Sequence, residues 1–216
     1  MVNLLVRNVL IYAFPVLFAI TLHEVAHGYV ARLRGDNTAY VLGRLTLNPL
    51  RHIDPLGTLI LPAVLYFATG GAFVFGYAKP VPIDVGSLRN PRWDMLWVAL
   101  AGPTCNFVQA LVWALFSVWL NASGGPGLLM QMASAGITVN LVLAALNLFP
   151  LPPLDGGRVL AAILPTRQSY AFSRVEGYGF FIVMFLVISG VLSAYWLRPL
   201  MWLGFAAIRV LLSPLS

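Results

Sequence analysis

Asn8-Val9-Leu10-Ile11-Tyr12-Ala13-Phe14-Pro15-Val16-Leu17-Phe18-Ala19-Ile20-Thr21-Leu22-His23-Glu24-Val25-Ala26-His27-Gly28-Tyr29-Val30-Ala31 is a mostly apolar run of some two dozen residues. As a helix it is long enough to cross the roughly 30 Å hydrocarbon core of a bilayer, which takes about 20 apolar residues. Five further apolar runs follow, at about 56–75, 95–120, 128–149, 178–194 and 199–212. Hydrophobic residues make up 60% of the chain and charged residues 9%. A soluble domain carries about 25% charged residues, so this composition belongs to a membrane. The runs predict an all-α polytopic membrane protein with about six transmembrane helices. They use up the whole chain, so residues 1–216 read as a single membrane-embedded domain.

The charges lie mainly between the runs. Twelve arginines and one lysine against seven acids give a net charge of +6. That placement suits anionic lipid headgroups and argues against nucleic acid as a partner. One cysteine, Cys105, excludes an internal disulfide and any cysteine-based zinc site. Arg7 ahead of an apolar run could pass for a signal peptide. The run continues unbroken into the histidines, so the first helix is expected to stay uncleaved.

Within that first run, His23-Glu24-Val25-Ala26-His27 reads H-E-x-x-H. Residues four apart share one helix face, so both imidazoles can reach one metal ion. Glu24, one residue round, can reach a water there without being a ligand. The chain holds two glutamates and three histidines in all. Concentrating one and two of them in a lipid-compatible helix is costly, and such residues are functional by default. The bland alternative is a pair of core histidines bonded to backbone carbonyls.

Two histidines leave a metal under-coordinated, because a catalytic zinc takes three protein ligands and one open position. Asp155 is the best third ligand. It follows Pro150-Leu151-Pro152-Pro153-Leu154, where three prolines break the fourth run, and Gly156-Gly157 lets a short helix restart through about Leu164. Irregular backbone at membrane depth is tolerated only inside protein or beside a wet cavity. The competing role for Asp155 is to cap that helix. The other aspartates, Asp36, Asp54, Asp84 and Asp94, fall in loops or at span edges, where solvation accounts for them.

Together these stretches resemble the site-2 protease family of intramembrane zinc metalloproteases, in its small bacterial and archaeal form without a PDZ or nucleotide-sensing domain. The resemblance rests on His23-Glu24-Val25-Ala26-His27 and on Asn147-Leu148-Phe149-Pro150-Leu151-Pro152-Pro153-Leu154-Asp155-Gly156. Arg44-Leu45-Thr46-Leu47-Asn48-Pro49, His52-Ile53-Asp54-Pro55-Leu56-Gly57, Lys79-Pro80-Val81-Pro82 and Ala101-Gly102-Pro103-Thr104-Cys105-Asn106 also fit that group. It covers about residues 20–160. The resemblance implies one Zn²⁺ held by His23, His27 and Asp155, with Glu24 as general base. It also implies Asn147 near the oxyanion or the substrate backbone; an interhelical hydrogen bond is the alternative for that amide. The implied enzyme is a zinc endopeptidase of the cell membrane, a multi-pass protein acting on transmembrane protein substrates in the lipid bilayer. The zinc-site core would occupy about 8–164, with C-terminal helices at 177–212. A metal transporter or sensor using the same ligands is the rival, and it has no need of Glu24.

A helical peptide bond must unwind before it can be hydrolysed. The β-prone stretches at 40–47 and 73–84 could offer an edge to an unwound substrate, or could merely cap the bundle. Pro62 and Gly70-Gly71 make 56–75 either a short span or a re-entrant piece. His52 reads as a loop histidine bonded to backbone, and Cys105 as a small packing residue.

Overall fold

The computed structural model describes residues 2–68 and 76–215. Helix α1 (Val2–Leu33) carries the first run. A short helix α2 (Thr38–Val41) follows, then a π-helical turn (Pro55–Ile60) leading into α3 (Leu61–Ala68). Helices α4 (Pro91–Ser123) and α5 (Gly127–Asn147) form a hairpin closed at Gly124, whose φ of 66° is the left-handed end that favours glycine. After the proline-rich break come α6 (Asp155–Ile163), α7 (Thr166–Ser173), α8 (Glu176–Ile188) and α9 (Arg198–Leu212).

Val6–Leu33, α4, α5 and Ser193–Leu212 are long and apolar enough to cross a bilayer. The fifth run qualifies only as a bent pair, with α7 and α8 meeting at 66°. The described part of the second run falls short. Its six-residue turn and eight-residue helix would rise only about 21 Å together, and its remainder to residue 75 lies outside the described residues. Among the described residues the helices long and apolar enough to cross therefore number four, or five with the bent pair, against the six runs in the sequence.

Helices α1, α4 and α5 pack against one another, α6 lies on α4, and α9 closes the far side of α4 and α5. The buried positions are mostly small: Ala19, Ala31, Ala99, Ala110, Ala133 and Ala145 are almost fully enclosed. By contrast Tyr178, Phe181, Phe185, Ile188, Trp202 and Val210 are 69–71% exposed. This inverted arrangement is expected where lipid surrounds the bundle, since close backbone approach then supplies the packing.

The β-prone readings are corrected. Among the described residues there is no strand. Over 40–47 only Tyr40 and Val41 are helical, as the end of α2, where the Asp36 carboxylate accepts the Thr38 N–H at 2.8 Å; residues 42–47 are turn and irregular backbone. Residues 76–84 have irregular backbone, and 73–75 lie outside the described residues. Solvation does not explain two of the aspartates either. Asp36 is buried and also accepts the Asp84 N–H, while buried Asp94 accepts the Asn90 N–H and pairs with Arg34 at 3.5 Å. His52 is as expected, its buried ring donating from Nε2 to the Thr46 carbonyl at 2.9 Å. Cys105 lies in the bundle with Sγ 3.5 Å from the Leu22 carbonyl.

Candidate metal centre

Three elements place the polar groups. Helix α1 presents His23 and His27 one turn apart. The break after α5 then turns the chain so that α6 begins at Asp155, facing them. That turn is tight: a Cβ on Gly156 would lie 2.2 Å from the Leu148 carbonyl oxygen, and one on Gly157 2.2 Å from the Pro152 nitrogen. Only glycines let the new helix start that close to the break. Helix α4 supplies the third wall.

The three predicted ligands meet. His23 Nε2 and His27 Nε2 are 3.0 Å apart, and each is 3.2 Å from Asp155 Oδ2. All three side chains are buried.

The protonation of the rings follows from their outer partners. His27 Nδ1 lies 2.7 Å from the Val98 carbonyl oxygen, which can only accept, so Nδ1 carries a proton. His23 Nδ1 faces Asn106 Oδ1 at 2.5 Å. The orientation of that amide is set by its nitrogen, which donates to the Ala19 carbonyl at 3.2 Å and to Asn140 Oδ1 at 2.9 Å. Asn106 therefore accepts from His23 Nδ1–H. In neutral rings protonated at Nδ1, both Nε2 atoms carry lone pairs, and these point at each other and at a carboxylate oxygen. Asp155 Oδ2 is buried and accepts no hydrogen bond among the described residues.

Three buried lone-pair atoms with no proton among them repel one another unless a cation lies between them. Donors 2.0–2.1 Å from a tetrahedral ion are about 3.4 Å apart, close to the spacing here. The donor set, two imidazoles and one carboxylate, is one that catalytic zinc uses. The residues fit a single zinc ion, with each histidine oriented by a hydrogen bond on its other nitrogen.

Glu24 and Asn147 line one cavity of about 190 Å³ together with Ile20, His23, Tyr77 and Leu154. Glu24 Oε2 accepts the Val81 N–H at 2.7 Å. Asn147, the last residue of α5, donates from its side chain to the Leu143 carbonyl one turn back at 3.0 Å. That bond lies within α5, and no interhelical bond of this amide is seen among the described residues.

Sequence reading did not find the groups behind the histidines. Asn106 entered only as the last residue of Ala101-Gly102-Pro103-Thr104-Cys105-Asn106, and the Val98 carbonyl not at all. Gly102, in the same stretch, backs the two rings so closely that no side chain fits there. The signal available was Gly102-x-x-x-Asn106, one small and one amide residue on the same face of α4.

Comparison with known proteins agrees with this geometry. The profile of peptidase family M50 matches residues 11–135 and 122–190. YwhC of Bacillus subtilis is 37% identical, over 89% of this chain and 86% of its own length. Rip2 of Mycolicibacterium smegmatis is 31% identical, over 86% of this chain and 70% of its own. Both carry provisional names as zinc metalloproteases. Zinc metalloprotease MJ0392 of Methanocaldococcus jannaschii is 26% identical, over 83% of this chain and 43% of its own length. No solved structure matches the chain. A buried His-His-Asp cluster in a multi-pass helical bundle, with family similarity along most of its length, leads to one conclusion: the chain belongs to peptidase family M50, the site-2 protease family, and is a membrane zinc metalloprotease.

Proposed function

We propose that His23, His27 and Asp155 hold the zinc, that Glu24 is the general base, and that Asn147 contacts the substrate backbone beside the oxyanion. The substrates are peptide bonds in or near transmembrane segments of other membrane proteins, cleaved in regulated intramembrane proteolysis or to clear membrane-segment remnants. Residues 8–164 form the catalytic core, within one membrane-embedded domain.

The observation that carries this reading is the meeting of His23 Nε2, His27 Nε2 and Asp155 Oδ2 inside an apolar bundle, with Glu24 in the adjoining cavity. When bound, zinc supplies Lewis acidity, which brings the pKa of water down to about 7 and polarises a carbonyl oxygen. Glu24 takes the proton of the attacking water and passes it to the leaving amine, so the C–N bond breaks to a carboxylate and an amine. The Asn147 amide, at the rim of the same cavity, can donate to the charge that develops on the carbonyl oxygen. Helices α1, α4, α5 and α6 keep lipid from the ligands.

The substrate has to be extended at the cleavage site. The Tyr77, Lys79 and Val81 amides donate to Gly57 O, His52 O and Glu24 respectively. In extended backbone that alternation turns the Ala78 amide to the opposite edge, next to the Glu24 cavity. An unwound substrate pairing there would bring its carbonyl toward the metal.

Co-expression with a library of tagged single-span proteins tests the function. Wild type cleaves a subset of them. Glu24→Gln retains one zinc per chain and loses turnover by about 10²- to 10⁴-fold, the range of general acid–base catalysis. Undiminished cleavage by Glu24→Gln would remove Glu24 from the mechanism, and a library left uncut by wild type would remove the substrate class.

A further inference from the structure

Three motifs have no part in the metal chemistry: Arg44-Leu45-Thr46-Leu47-Asn48-Pro49, His52 and Lys79-Pro80-Val81-Pro82. In the structure they converge beside Glu24. Arg44 Nη2 donates to the Lys79 carbonyl at 3.0 Å and to the Pro80 carbonyl at 3.3 Å. The Lys79 N–H donates to the His52 carbonyl at 2.9 Å, and Thr58 Oγ1 donates to the Tyr77 carbonyl at 2.8 Å. The imidazole of His52 in turn holds the Thr46 carbonyl.

Between Pro80 and Pro82 the one amide N–H belongs to Val81, because proline has none. That single donor goes to Glu24 Oε2 at 2.7 Å. The segment can lie so close to α1 because residue 28, one turn beyond Glu24 on the same face, is glycine. A Cβ there would sit 2.5 Å from Leu45 Cδ2 and 2.9 Å from Val81 Cγ1.

We infer that Lys79–Pro82 is a strap that positions the general base. Val81 fixes one carboxylate oxygen of Glu24 through its amide and leaves the other for the reacting water, while Arg44 holds the strap in place through the Lys79 and Pro80 carbonyls. The two prolines keep the strap extended and remove any competing donor. This rests on Glu24 acting as the base. It assigns the Val81 amide to the enzyme's own carboxylate, so that amide does not pair with substrate, and the substrate edge begins at Ala78.

The test uses the full zinc-loaded chain and a tagged single-span substrate. Val81→Pro removes the donor and keeps extended backbone. It should lower kcat by about 10- to 100-fold, the cost of a misplaced catalytic group, with KM within about twofold and one zinc per chain. Val81→Ala restores the N–H and should recover most of that loss. Arg44→Gln should lower kcat by a smaller factor, again without moving KM. In a Glu24→Gln background, neither Val81→Pro nor Arg44→Gln should slow the residual reaction further, since they act through Glu24. A loss confined to KM, or an equal loss in the Glu24→Gln background, overturns the proposal. Should Val81→Pro fail to retain zinc, Arg44→Gln and its combination with Glu24→Gln decide it by the same criteria. Full turnover by Glu24→Gln sinks the base reading itself; an inactive Glu24→Gln beside a fully active Val81→Pro sinks only the strap.

Discussion

Gly102 backs His27 so closely that a Cβ on Gly102 would lie 2.4 Å from His27 Nε2, the atom that faces the metal position. The same methyl would sit 2.6 Å from His23 Nε2. Both contacts are far inside van der Waals separation, and the two rings are held from behind by Asn106 and the Val98 carbonyl. The imidazoles cannot retreat without losing those bonds.

Gly102→Ala should therefore exclude zinc while leaving the bundle assembled. Alanine is a good helix residue, and position 102 lies well inside α4. Zinc affinity, measured by competition with a chelator on detergent-solubilised protein, should drop by at least about 100-fold, the upper end of what an outer-shell change does. Helix content by circular dichroism should be unchanged. An alanine variant binding zinc at full affinity would show that the histidines are not the ligands.

Asn106→Leu probes the support of a single ligand. It removes the acceptor behind His23 and leaves the Asn140 side chain, which otherwise accepts from Asn106, without that donor in the core. Loss of an outer-shell partner costs about 10- to 100-fold in metal affinity. Asn140→Leu acts one step further out and should cost less, because Asn106 keeps its bond to the Ala19 carbonyl. An equal loss in both variants would point to general unfolding of the α1–α4–α5 core.

Arg92 reaches the same centre from the opposite end of α6. Its guanidinium donates to the carbonyls of Ala162, Ile163 and Leu164 at 2.6, 3.0 and 2.7 Å, closing the helix that starts at Asp155. A lysine ammonium cannot reproduce the planar fork, so Arg92→Lys should lose most of this capping. Hydrogen bonds to a charged donor contribute about 1.5–3 kcal/mol each, and solvent at the partly exposed carbonyls replaces some of that. A fall of about 1–3 kcal/mol in stability is expected for Arg92→Lys, with a smaller loss in zinc affinity than for Asn106→Leu. Thermal unfolding in detergent, with and without zinc, separates the two effects.

The candidate ligands that the structure brings together were legible in the sequence because each announces itself locally. His23, Glu24 and His27 lie about one helical turn apart among apolar residues, and Asp155 stands at the proline-rich break that ends the fourth run. What lay behind them was not legible. That Asn106 faces His23 and not lipid depends on how α4 rotates against α1, and nothing in either helix alone encodes that rotation. Over 40–47 the β-branched and aromatic residues suggested a strand. One carboxylate outside that stretch, Asp36, binds the Thr38 amide where the short helix ending at Val41 begins, and the rest of the stretch runs on as turn and irregular backbone. Reading Asp36 and Asp94 as solvated failed for the same reason. Each is a short-range partner of backbone amides, and burial then follows from the packing of loops at the end of α1.

Asp36 also gives the fold a pH dependence apart from the metal. It joins two loops, accepting the Thr38 N–H on Oδ1 and the Asp84 N–H on Oδ2, each at 2.8 Å. Burial pushes its carboxyl up. Hydrogen bonds from the Thr38 hydroxyl and amide and from the Asp84 amide outweigh that, and hold it below the ordinary aspartate value. A carboxylate lowered on folding stabilises the protein above its unfolded pKa of about 3.9. That stabilisation is lost as pH falls through the lower, folded value. Asp36→Ala leaves two amides without their acceptor and should cost about 1–3 kcal/mol at neutral pH. The gap between wild type and Asp36→Ala should then narrow as pH drops below about 4. Both chains should be unfolded by heat without metal, so that acid release of zinc does not enter the comparison. A gap that stays constant from pH 7 to below the folded pKa would mean that Asp36 joins the loops without its charge, and the carboxylate would have no part in the acid sensitivity of the fold.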